Sequence, residues 1–303
     1  MNKNVAQTHN PTYHLTVLID EVLTYLDPQP GKTYIDATFG GGGHTRAILM
    51  KEPNCSVIAL DWDQKALEMN GPALQEEFGD RLKLIWGNFA QLPHLLKKHN
   101  GDRVDGVLVD FGTSQYQLFV REGFSFATDT PLDMRMSPAH QKITAADIVN
   151  GASEKELLII FQEYGEERHS RSIARAICEA RRIRKIKTTD ELVQIITTIS
   201  PKRPGKIHPA TRVFQALRIV VNKELDNIKT FLLHLPQILR DDARVVCISF
   251  HSLEDRLVKT YFKENSNQFK VLTPKVVVPT DEEIKLNASS RSARLRAAEF
   301  SNG

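Results

Sequence analysis

Apolar positions along the first third of the chain switch repeatedly between two periods. Over 15–26, LTVLIDEVLTYL, they mark one face of a helix that runs into the turn DPQPG. A short strand is predicted over 34–37, then a glycine run, then a helix opening at Thr45. Residues 56–61 form an apolar run of strand length, and 64–74 read as a helix interrupted near Gly71-Pro72. A third strand follows over 82–86, a third helix over 89–98 and a fourth strand over 104–110. Strands that alternate with helices pair in parallel, because each crossover helix must cover a sheet face, so the pattern predicts a doubly wound α/β sheet.

The alternation stops after Asp110. Helical spacing alone recurs over 154–164, 170–184, 189–199 and 210–221. The earlier rhythm then returns: a helix over 223–239, a β-branched strand over 244–250 and a helix over 252–263. Residues 269–278 read as extended, 279–292 as a loop, and 294–298 as a returning edge strand. The division expected is an α/β domain in two parts, 1–112 and 223–303, interrupted by a helical domain over 113–222, a length typical of a compact unit.

The 303 residues are 41% hydrophobic and 25% charged, the balance of a globular protein. No apolar run approaches the roughly 20 residues that cross a bilayer, and the opening MNKNVAQTHNPTYH has no apolar core of the signal-peptide kind. No membrane and a cytoplasmic location are therefore expected. Cys55, Cys178 and Cys247 are far apart and read as small apolar fillers, not a disulfide framework or metal site. No metal ligand set is expected. The net charge of +3 is uninformative, but its distribution is not. Eight Arg or Lys face one Glu over 168–187, Lys202, Arg203, Lys206 and Arg212 follow, and Arg291, Arg294 and Arg296 sit near the C-terminus. Such clusters suit a polyanion.

The candidate chemistry begins at DATFGGGGHT (36–45). Glycines between a strand and a helix N-terminus let a ligand touch backbone N–H groups, at the place where open α/β sheets bind ligands. The alternative is a tight turn without a ligand. Asp61 ends the next strand, where an acid takes hydrogen bonds from ribose hydroxyls, as in sites for NAD or for S-adenosylmethionine. The dinucleotide pattern asks for a third glycine, and Thr45 or Arg46 stands there instead. Asp36, beside the turn, would repel a pyrophosphate and suits a cationic ligand. Both features favour S-adenosyl-L-methionine.

Asp110 ends the fourth strand on the same side. DTPLDMRM (129–136) reads either as an ordered loop near the site or as a hinge into the helical insert. In SFHSLEDR (249–256), Ser252 with Asp255 has the spacing of a helix cap. His251 is a candidate proton acceptor or RNA contact, or a packed strand-end histidine. No G-x-S-x-G elbow appears, which opposes serine hydrolysis.

Seven segments together resemble the bacterial small-subunit ribosomal RNA cytosine-N4 methyltransferases of the RsmH (MraW) type. They are HLTVLIDEVL (14–23), YIDATFGGGGHT (34–45), GFSFATDTPLDMRM (123–136), YGEER (164–168), HPATRVFQALRIVVNKEL (208–225), ISFHSLEDRLVK (248–259) and RSARLRAAE (291–299). The resemblance implies a class I (Rossmann-like) methyltransferase sheet with an inserted all-helical domain, S-adenosyl-L-methionine as cofactor, and a decoding-region cytidine of 16S rRNA in the small subunit as substrate. Carried over by motif, the cofactor contacts are Gly42, Gly43, His44, Asp61, Phe89, Asp110 and Gln117. Asp110, Asp133 and His251 are the candidate catalytic residues, and Arg171, Arg175, Arg182 and Arg212 the candidate RNA contacts. A homodimer is compatible with this picture. The chain departs from the family pattern at DFGTSQYQL, where DLGVSSPQL is usual, and at NASSRSAR, where NPRSRSAK is usual.

Overall fold

The computed structural model describes residues 16–112 and 122–302. Seven strands form one sheet in the order β3-β2-β1-β4-β5-β7-β6. They are β1 Thr33–Asp36, β2 Ser56–Asp61, β3 Leu82–Trp86, β4 Val104–Asp110, β5 Leu239–Ser249, β6 Phe269–Val271 and β7 Arg294–Phe300. The first five pair in parallel, and β7 runs antiparallel between β5 and β6. That reversed strand separates this sheet from the dinucleotide-binding order 3-2-1-4-5-6 and matches the class I methyltransferase sheet implied above. β4 is buried at all but its last residue, as expected of a central parallel strand covered on both faces.

Helices α1 Ile19–Leu26, α2 Gly43–Lys51 and α3 Gln64–Phe78 pack with one sheet face; α4 Leu92–Lys98, α10 Glu224–Ile238 and α11 Ser252–Glu264 cover the other. Between them lies the insert: α5 Ala145–Gly151, α6 Glu154–Glu163, α7 Ser170–Ile183, α8 Thr189–Ile199 and α9 Ala210–Asn222. It has a core of its own, with Leu157, Phe161, Ile177, Leu192, Ile196 and Leu217 fully buried. Capping boxes at Thr144, Ser153 and Thr188 start α5, α6 and α8, which fixes the origins of these three helices locally.

Three expectations are corrected. Helix α3 does not break at Gly71-Pro72 but runs through both. A Cβ at position 71 would lie 2.4 Å from Leu84 Cδ1, so the glycine permits close approach to β3. The resulting packing of Leu67, Leu74 and Phe78 outweighs the ~3 kcal/mol that an interior proline costs. Strand β7 is interior, not an edge, and extends to Phe300, because Leu295, Ala297, Ala298 and Phe300 are all buried. The expected loop over 279–292 holds a short helix, α12 Asp281–Leu286, capped by Thr280, and a 3-10 turn, Ala288–Ser292. Glu283 Oε1 accepts from the Leu18 backbone N–H at 2.8 Å, tying this tail to the start of α1. No helix among the described residues is long and apolar enough to cross a membrane.

Candidate active site

Strand order reverses between β1 and β4, so a crevice opens beyond their carboxyl ends. It is a cleft of about 300 Å³, at the lower end of small-ligand pockets. Its near wall is the glycine turn. Gly40 and Gly42 both adopt positive φ, 51° and 76°, which side chains rarely tolerate. The four glycines do different jobs. Gly40, Gly41 and Gly43 line the cleft, whereas Gly42 does not. At Gly42 a Cβ would meet Leu74 at 2.8 Å and the Phe39 ring at 3.0 Å; at Gly43 it would lie 1.8 Å from Thr16 Oγ1. Part of the glycine demand thus comes from the protein packing on itself.

Asp36 sits beneath the turn, fully buried. It accepts from the Thr45 hydroxyl at 2.7 Å and from the Thr38 N–H at 3.2 Å, and burial raises it above the ordinary carboxylate range. The residue in place of the third dinucleotide glycine therefore serves to hold this acid. His44 is buried, its Nε2 2.9 Å from the Val17 carbonyl oxygen.

Asp61 crosses from the end of β2. Its Oδ2 accepts from the Gly40 N–H and its Oδ1 from the Asp63 N–H, both at 2.7 Å. Burial outweighs these bonds and lifts its pKa to about 7. Phe89 lines the cleft from the β3 side, 5.8 Å from Phe111 and 5.6 Å from Phe231. Asn88 caps the turn that carries it. The Asp110 N–H donates to the Thr38 hydroxyl at 2.8 Å, and its Oδ1 accepts from the Gly112 N–H at 2.9 Å. Gln117 lies outside the described residues.

The far wall comes from the insert and the second half of the sheet: Met136, Arg218, Asn222, Glu224, Phe250 and Glu254 among others. Sequence reasoning gave none of these a role. The available signal was charge and amide inside apolar helix stretches, Arg218 and Asn222 four apart in ALRIVVN. Arg218 grips Glu224 through both oxygens, at 2.8 and 2.9 Å. Asn222 is fully buried, accepting from the Met136 N–H and donating to the Met134 carbonyl, both 2.8 Å. It locks the 129–136 loop to α9.

The three catalytic candidates are not brought together. Asp110 lines the cleft; Asp133 and His251 do not. Both Asp133 oxygens hold Arg135, at 2.8 and 2.7 Å. His251 sits behind Glu254, its Nε2 3.1 Å from Oε1. Ser252 is not the cap of α11. His251 occupies the cap position, and Glu254 reaches back to the Phe250 and His251 N–H groups at 2.7 and 3.3 Å. Asp255 is drawn off instead by Arg296, at 2.6 and 3.1 Å, which also withdraws Arg296 from the C-terminal basic cluster. On α7, Arg171, Arg175 and Arg182 lie opposite the buried face of Ile173, Ala174 and Ile177, with Arg175 paired to Glu179 at 2.9 Å. Arg212 on α9 is half-buried.

The MraW methylase family model matches residues 11–301. The chain is 42% identical to the ribosomal RNA small subunit methyltransferase H of Rickettsia conorii, over 94% of this chain and 97% of that one. It is 46% identical to the protein of the same name from Thermotoga neapolitana, over 95% and 96%. A solved rRNA methylase of Streptococcus thermophilus shares 12% identity at a TM-score of 0.40, over 94% of each chain.

Proposed function

The chain belongs to the MraW methylase family, and from that premise we propose that it methylates the N4 amine of a decoding-region cytidine in 16S rRNA of the small ribosomal subunit, with S-adenosyl-L-methionine as methyl donor. The observation that carries this reading is one cleft lined by the glycine turn and by the strand-end acids Asp61 and Asp110, with Asp61 accepting from the Gly40 N–H. Carboxylates at these two positions suit a donor with a sulfonium and an ammonium group and oppose a pyrophosphate. When bound, the donor supplies an electrophilic methyl group.

Asp61 would take the ribose hydroxyls, Phe89 would flank the adenine, and the glycine turn would admit the rest of the donor to the backbone. A cytosine amine is a weak nucleophile because its lone pair is delocalised into the ring. Asp110 orients that amine or the donor's ammonium, and alignment of this kind lowers barriers by several kcal/mol. The target base leaves its stack to enter so enclosed a site, while the basic face of α7 holds the RNA backbone. The deciding experiment is mass mapping of 16S rRNA from cells with and without the gene. Loss of one N4-methylcytidine supports the proposal, and an unchanged methylation map overturns it.

Two further outcomes are expected. Asp61 titrates at about 7, and its ionised form is the stronger acceptor for hydroxyl donors. Donor affinity, measured by calorimetry, should therefore rise several-fold from pH 6 to pH 8, and Asp61→Asn should weaken binding and flatten that dependence. Reversing charge at Arg171 and Arg175 should weaken RNA binding and reduce the slope of log affinity against log salt by roughly 0.7 to 0.9 for each phosphate no longer neutralised. An unaltered slope in filter-binding titrations would leave this face merely solvated.

A further inference from the structure

Resting on that amine-methylation reading, we propose that Glu254 is a further catalytic residue, the carboxylate that takes the proton shed by the attacking nitrogen. Glu254 lines the cleft yet is only 1% exposed. One oxygen, Oε2, is held by the Phe250 and His251 N–H groups. The other, Oε1, has the His251 ring 3.1 Å away. Both ring nitrogens of His251 are buried, and neither makes a well-formed hydrogen bond.

The other acids of the cleft are engaged differently. Arg218 clamps Glu224 through both oxygens, each Asp61 oxygen receives a backbone N–H, and Asp110, whose Oδ1 takes the Gly112 N–H, is the group that orients the amine or the donor. Glu254 combines a place in the wall, a rigid mount and an oxygen outside the backbone bonds. It also has an imidazole directly behind it. Ligand-type atoms of Glu224, His251 and Glu254 lie within 4.8 Å of one another. A divalent ion there would face the Arg218 guanidinium that holds Glu224, and a proton, with half the charge, meets about half that repulsion.

In the transfer, the N4 lone pair forms the new N–C bond while the methyl–sulfur bond breaks, its electron pair staying on sulfur as a neutral thioether. The nitrogen, now cationic, releases one N–H proton to Glu254 Oε1. The backbone N–H groups position that carboxylate, and the His251 ring, 3.1 Å from Oε1, offers the next site for the proton.

Single-turnover methylation of undermethylated small subunits tests this, with donor affinity measured on the same proteins. Glu254→Gln keeps an oxygen for the two backbone N–H groups but is a far weaker base. It should slow transfer by at least about tenfold, the low end for general-base effects being nearer a hundredfold when the proton is harder to lose, with donor affinity unchanged. Glu254→Asp keeps the carboxylate but retracts it, and should fall between Glu254→Gln and wild type. A wild-type rate in either variant overturns the proposal, as does a rate loss matched by an equal loss of donor affinity. If the wild-type protein itself transfers no methyl group, it is the functional reading that fails.

Discussion

Asp110→Asn is expected to slow methyl transfer by about a hundredfold or more, the scale set by orientation and acid–base effects at a reacting centre. Asp110 ends the central strand β4, in register with Ile248 of β5. Its N–H donates to the Thr38 hydroxyl, and its Oδ1 accepts from Gly112. Asparagine keeps an oxygen for Gly112 and nearly the same shape, so the turn should survive and only the charge is lost. Single-turnover rates at saturating donor, read beside donor affinity, separate two roles. A loss confined to rate places the carboxylate on the nucleophilic amine. A loss confined to affinity places it on the donor's ammonium. A variant within about threefold of wild type in both, which would leave almost no transition-state stabilisation to assign, removes Asp110 from the chemistry.

The near wall of the cleft was legible because its residues sit at strand ends, where period and position fix their direction. Asp36, Gly40, Asp61 and Asp110 each terminate or follow a strand that the apolar pattern marks. The far wall was not legible. Arg218, Asn222, Glu224 and Glu254 lie on helices that only tertiary packing brings to the cleft, and helical spacing says which face is buried, not what it meets. Local chemistry also misled where two partners competed. The Ser252–Asp255 spacing fits a cap, yet Asp255 gains a bidentate guanidinium from Arg296, a stronger bond than a backbone amide offers. That leaves Glu254 to reach back over the helix start. Gly71-Pro72 reads as a break for the same reason: the pattern carries the cost of proline but not the packing against Leu84 that offsets it.

The far wall also concentrates the largest stability effect expected of a single substitution. Arg218→Met should destabilise the protein by about 3–5 kcal/mol, the usual result of removing one partner of a buried ion pair. The side chains of Arg218 and Glu224 are only 18% and 9% exposed. Burial pushes the Glu224 carboxyl up, the guanidinium pulls it down, and Glu254 pushes it up again. Without Arg218, two carboxylates share a dry wall. The pair also spans the junction of α9 and α10, where Lys223 holds a left-handed turn at φ 51° and Asn222 ties the 129–136 loop to the helix. The insert core and the sheet core meet there, so the substitution should lower the melting temperature by roughly ten degrees and weaken donor binding with it. Adding Glu224→Gln should recover most of the stability, because the harm lies in an uncompensated buried charge and not in an absent hydrogen bond. Calorimetric melting of the two single variants and the double variant measures this. Additive destabilisation would show that Arg218 and Glu224 act independently, and that the cleft wall is held by packing alone.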